Sequence, residues 1–116
     1  QSFQQKSGTI ALLSDVSGGD NLQRQVTKAT DIITDADNFY TILFNAPNPI
    51  TVTLNTLTID GFEVSYYNKG AGLVTFVQGT VTTLTANDGL TLPQGKVGAM
   101  IKYQATDELI LKGEFE

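Results

Sequence analysis

Three aspartates set close together, Asp31, Asp35 and Asp37, with Asn38 beside them, come nearest to a chemical site by residue type and spacing. Oxygen ligands in such a cluster suit a hard cation such as calcium, although the spacing is not that of an EF-hand loop. Paired carboxylates can also hydrolyse glycosides, but that reaction needs two groups facing each other across a cleft, and these lie in one local segment. The plainer assignment is turn aspartates that accept backbone N–H bonds ahead of a strand. Asp31, Asp35 and Asp37 therefore stand as metal-site candidates against a structural role.

Other catalytic chemistry is thinly represented. The chain has no Cys and no His, which removes thiolate nucleophiles, zinc–thiolate sites, disulfides and the commonest proton shuttle. No Gly-x-Ser-x-Gly elbow, phosphate-cradling loop with a following Lys, or paired-His helix occurs. Gly70-Ala71-Gly72 lacks the third glycine of a dinucleotide fingerprint and leads into a strand instead of a helix. A non-enzymatic protein without a cofactor is the expectation.

Binding groups are easier to find. Asn45, Asn48, Asn68, Lys69, Asn87, Asp88 and Asp107 fall in loops, where amides and carboxylates can hydrogen-bond hydroxyls, and Tyr67 alternates against Tyr66, so that one of the two rings faces outward. These eight residues are the ligand-binding candidates. Phe39, Phe44, Phe62, Tyr66 and Phe76 lie in strand-like runs and read as core, and the absence of Trp weakens a carbohydrate module built on indole platforms.

The elements that must position these groups are strands. A chain of 116 residues, 41% hydrophobic and 16% charged, suits one folded domain. Seven Lys and Arg against twelve Asp and Glu give a net charge of −5, which argues against nucleic acid as a partner. The longest apolar runs, such as Ile10 to Leu13, are far too short for a membrane span. Runs of β-branched and aromatic residues predict strands at about residues 40–44, 50–54, 62–67, 73–78, 81–84, 97–103 and 109–113, separated by Gly, Pro, Asn and Asp clusters. Residues 68–72 read as a hairpin loop, and residues 21–30 as a short helix or an extended segment. No repeat of 20 to 50 residues is evident. The expected fold is all-β, an antiparallel β-sandwich or small barrel (residues 31–116), preceded by a short N-terminal extended or helical segment (residues 1–30) that links and oligomerises. Within 97–103, Val97, Ala99, Ile101 and Tyr103 mark one face while Met100 lies on the other, and Leu109, Ile110 and Leu111 are consecutive apolar residues. Strands apolar on both faces are buried on both, which in so small a domain predicts a subunit interface.

Lys6-Ser7-Gly8-Thr9-Ile10-Ala11-Leu12-Leu13-Ser14-Asp15-Val16 resembles a short linking segment of bacteriophage tail-fibre and receptor-binding proteins. Asp35-Ala36-Asp37-Asn38-Phe39, Ile50-Thr51-Val52-Thr53-Leu54, Gly61-Phe62-Glu63-Val64, the run from Asn68 to Phe76 and Leu109-Ile110-Leu111-Lys112-Gly113 are similar to a β-rich module near the C-termini of such fibres. The resemblance implies a virion protein, a homotrimer whose β-domains form a head that touches a glycan or protein on the host surface. It also admits a purely structural trimerising or capping module. A polysaccharide-degrading tailspike fragment is disfavoured, since such sites sit on much longer β-helices. Two departures stand out: Asn55 follows the Thr-Val-Thr-Leu strand where the family carries Pro, and Glu108 replaces an aromatic residue before the closing Leu-x-Gly. The first residue, Gln1 in place of Met, favours a piece of a longer polypeptide.

Overall fold

Ten strands, joined by turns and a single 3-10 turn at Asp35–Asp37, make up the computed structural model, which describes residues 22–116. They are β1 (Gln23–Val26), β2 (Thr30–Ile33), β3 (Thr41–Phe44), β4 (Ile50–Leu54), β5 (Glu63–Asn68), β6 (Val74–Gln78), β7 (Thr83–Thr85), β8 (Thr91–Leu92), β9 (Val97–Lys102) and β10 (Glu108–Gly113). The linking motif around Lys6 to Val16 lies outside the described residues. Among the described residues there is no α-helix.

The strands form two facing sheets. Sheet 1 has six strands in the order β1-β3-β5-β9-β10-β7, and sheet 2 has four in the order β2-β4-β6-β8. The expectation of antiparallel pairing is corrected here, because β1 with β3, β3 with β5, β2 with β4, β4 with β6 and β7 with β10 are all parallel. Only β5 with β9, β9 with β10 and β6 with β8 are antiparallel. Through β6 the chain alternates between sheets, so that each turn of chain adds one strand to each, as in a solenoid. The segment 68–72 is therefore an arc from sheet 1 to sheet 2 and not a hairpin loop. β1 and β2 belong to these sheets, so the β-domain takes in residues 22–30 that the sequence assigned to the linking segment.

Stacking in register explains the core. Arg24, Ile42 and Tyr66 form one inward column, and Asp31, Val52 and Phe76 form the facing one. Successive coils thus pass from a charged rung to fully apolar ones. Phe44, Tyr66 and Phe76 meet with ring centroids 4.9–6.1 Å apart between the sheets, and Phe62, Met100, Leu109 and Leu111 extend the core below and beside them. The outermost coil among the described residues needs polar capping. Arg24 supplies it, donating from Nε to Asp37 at 2.7 Å and from its two terminal nitrogens to Asp31 at 2.9 and 2.7 Å.

The C-terminal tail closes one side of the space between the two sheets. After β10 it crosses from sheet 1 to sheet 2, where the Glu116 carbonyl accepts bonds from the Leu90 and Thr91 amides and the Glu116 amide donates to Thr91. This places Phe115 in the core, edge-on to Phe76 at 5.4 Å. Phe39 is the exception among the residues read as core: it is 64% exposed. It follows the 3-10 turn with φ 65°, a left-handed conformation that turns the chain into β3 and carries the ring out of the strand alternation.

Candidate functional site

The registers sort the loops into two ends. β1, β3 and β5 run in one direction, so the turns that follow them, at residues 27–29, 45–49 and 69–73, share one end with the turn at 93–96 that precedes β9. Residues 34–40, 55–62, 79–82 and 103–107 occupy the opposite end.

The first end is tied together by one buried side chain. Asn68 donates from Nδ2 to the carbonyls of Gly72 at 3.0 Å and Leu92 at 2.8 Å, and its Oδ1 accepts from the Gly70 amide at 3.1 Å. Backbone bonds from Gly72 to Ala46 and from Gly95 to Asn68, with Gln94 Nε2 donating to the Lys69 carbonyl, link three turns side by side. Glycine is required for this packing: a Cβ at Gly72 would stand 1.9 Å from the Asn48 carbonyl oxygen. Asn68 is therefore corrected from a ligand candidate to the knot that holds its neighbours, since no polar atom is left to present. Asn45, Asn48 and Lys69 are exposed on the same end.

The remaining candidates are dispersed. Asp107 lies at the opposite end, where Oδ2 accepts from the Thr82 amide and hydroxyl and from the Thr56 hydroxyl at 3.2 Å. The Thr82 hydroxyl bond, helped by the other two, holds the Asp107 carboxyl below its usual range, against a smaller opposing effect of burial. Asn87 and Asp88 sit in the turn beside the C-terminal tail, with Asp88 accepting from the Gly113 amide at 3.2 Å. Tyr67 points outward from sheet 1 and is 36% exposed. The eight candidates therefore do not form one site.

Nor do the three aspartates converge. Asp31 and Asp37 clamp Arg24, and the two carboxylates together hold its guanidinium pKa above the usual value, the Asp31 hydrogen bond contributing most. Asp35 turns away to accept from the Thr58 hydroxyl at 2.7 Å and amide at 2.9 Å, chiefly the hydroxyl bond lowering its pKa. Among the described residues no group of three or more His, Cys, Asp and Glu side chains is placed to hold a metal ion. A hollow lined by Arg24 to Lys28, Thr30 and Asp31 opens beside β1, where Arg24 and Asp31 are paired with each other.

Two outer faces complete the surface. On sheet 1, β9 turns Val97 (49% exposed), Ala99 and Ile101 outward, with Tyr103 (51%) beyond its end, while Met100 is buried in the core. Tyr67 lies opposite Val97, and Ile110 opposite Ile101, so an apolar patch spans three neighbouring strands. Glu63 is the partner of Ile101 on the other side, and Lys112 that of Ala99, so both charge signs flank the patch. On sheet 2, Thr30, Thr51, Thr75 and Thr91 form one row across all four strands, a threonine ladder of the kind that stabilises neighbouring strands. The ladder was not anticipated from sequence: Thr51 and Thr75 lie in expected strands, whereas Thr30 falls in the segment read as a short helix or extended, and Thr91 in no expected strand.

Comparison with protein-family models, with curated proteins and with solved structures found no match.

Proposed function

We propose that this chain is a non-enzymatic assembly and binding module, a β-domain that joins copies of itself through the outer face of sheet 1 and offers its loops to a host bacterial surface. The observation that carries this reading is the double-sided apolar character of β9. Met100 fills the core of the chain, whereas Val97, Ala99 and Ile101 on the other side face solvent together with Tyr67 and Ile110. Contiguous apolar area on a sheet face marks a contact surface. Further copies of the chain are the occupant that fits, because the patch is apolar at its centre and rimmed by Glu63, Glu108 and Lys112, the make-up of an interface between identical chains.

The resemblance to phage tail-fibre heads supports the same reading, with a trimer as the assembly and a virion as its place. Three weak sites held at fixed spacing raise avidity by orders of magnitude on a repetitive surface, so no catalytic group is needed. The carboxylates support a binding module over a hydrolase, since Asp31, Asp35, Asp37 and Asp107 are engaged with Arg24, Thr58 and Thr82. Light scattering across a range of concentrations tests the assembly: the expected mass is that of three chains, and a monomer at every concentration overturns it.

A further inference from the structure

The chain is acidic overall, yet its charges are divided between its ends. The turns at 27–29, 45–49, 69–73 and 93–96 contain Lys28, Lys69 and Lys96 and no Asp or Glu. Among the described residues none of these lysines forms an ion pair. The Glu114 carboxylate stands beside them, accepting from the Val97 amide at 2.9 Å, and forms no ion pair with these lysines. The opposite end carries Asp35, Asp37, Asp60 and Asp107, with Glu63 and Glu108 at the adjoining strand ends. Its single lysine, Lys102, is buried and bonded to Asp60 at 3.2 Å and to the Gln104 carbonyl at 2.8 Å. A net charge of −5 thus hides one end whose four turns carry lysines alone, with the carboxylates of Glu114 and Asp88 at its edge beside Val97 and Gly113.

We infer that this lysine end binds an anionic polysaccharide. The inference rests on the binding reading above and names its ligand class. Three observations carry it. First, the three lysines stand on neighbouring turns: residues 27–29 hold the second coil through Ala29 to Thr51 and Val26 to Asn45, while the 69–73 and 93–96 turns are joined by Gln94 to Lys69. The turns at 27–29 and 69–73 are two strand spacings apart, on the order of 10 Å. Second, the turns are fixed in advance by the Asn68 knot and by glycines whose Cβ positions are already filled by backbone, so little ordering is left to be done on binding. Third, the exposed polar groups between the lysines are amides, Asn45, Asn48 and Gln94, which match hydroxyls, and the four turns hold no aromatic residue on which a nucleobase could stack. The chemistry is therefore that of a sugar chain bearing repeated negative groups. In a side-by-side assembly about a symmetry axis parallel to the strands, the lysine ends of all copies face one way.

The test titrates the full chain with dextran sulfate, with neutral dextran of the same length and with an oligothymidylate. Dextran sulfate binding is expected, weakening roughly 20-fold between about 50 and 200 mM salt as about three anionic groups are neutralised per chain, with neutral dextran much weaker. The variant Lys28→Gln/Lys69→Gln/Lys96→Gln removes charge without reversing it, keeps the fold by circular dichroism, and loses that salt-dependent binding. Absence of dextran sulfate binding, binding unchanged in the triple variant, or tighter binding of oligothymidylate each overturns the inference. Mass by light scattering separates the two proposals: an assembled protein that ignores dextran sulfate sinks only the ligand, and a monomer that binds it through these lysines sinks only the assembly.

Discussion

Gly98 lies directly against the ring of Phe115: a Cβ at Gly98 would stand 2.5 Å from Phe115 Cε2. The contact joins the middle of sheet 1 to the C-terminal tail, because Gly98 is paired with Tyr66 on one side and Gly113 on the other. The tail needs Gly98 bare in order to cross into sheet 2.

Truncating this ring therefore opens the core between the two sheets. Phe115→Ala is expected to cost about 3–5 kcal/mol, the usual range for emptying a buried aromatic site, and Gly98→Val to cost a comparable amount by expelling the ring. Urea unfolding monitored by tyrosine fluorescence measures both. A loss under about 1 kcal/mol for Phe115→Ala, within the range of an ordinary surface change, would show that the tail is an accessory.

Arg24 caps the first coil, so its removal leaves Asp31 and Asp37 facing each other without a cation. Arg24→Ala is expected to destabilise by about 1–3 kcal/mol, the cost of leaving hydrogen-bonded charged groups unpaired in a partly buried place. Adding Asp37→Asn should recover part of that loss, and thermal denaturation of the single and double variants checks the coupling.

Much of this was legible in the sequence, and what was missed has physical causes. The alternation of Ile50 to Leu54 and of residues 63–68 reported their inward faces correctly, since one side of each strand is buried. Pairing direction was not legible, because alternation says which face is buried and nothing about the neighbouring strand. The arc after Asn68 carries the same Gly-rich chemistry as a hairpin. β8 is only two residues long, too short for any period to show. Asn68 was misassigned because an amide that satisfies three backbone groups in the interior has the same side chain as one offered to a ligand. The repeat escaped notice because register-matched positions are 18 and then 24 residues apart in sheet 1, Gln23 to Thr41 to Ser65, and the coils share no common motif.

Asn68→Asp discriminates the knot from a ligand site. The carboxylate keeps the acceptor for Gly70 but cannot donate to Gly72 and Leu92, so a loss of about 1–3 kcal/mol is expected from the orphaned carbonyls and the buried charge. Hydrogen exchange should show faster exchange at Gly70, Gly72 and Gly95 together. Unchanged stability with altered ligand binding would reverse the assignment.

Acid should weaken the opposite end first. Asp35 and Asp107 both have folded-state pKa values below the ordinary 3.8, chiefly through hydrogen bonds from the Thr58 and Thr82 hydroxyls. The unfolded chain therefore takes up protons at a higher pH than the folded one, so the stability these groups supply is complete well above pH 3.8 and is lost as pH falls through that value towards their folded pKa. Asp35→Asn and Asp107→Asn should each lower stability at neutral pH and flatten the decline below pH 4, as followed by urea titrations at stepped pH.

Whether copies meet at the outer face of sheet 1 is decided most directly by the solution mass of Ile101→Lys. Ile101 points away from the core, between Glu63 and Ile110, so the substitution leaves the monomer's interior untouched. The expectation is an assembled wild-type protein and a folded, monomeric variant. A variant that keeps the wild-type assembled mass would contradict it and move the interface to another face of the domain.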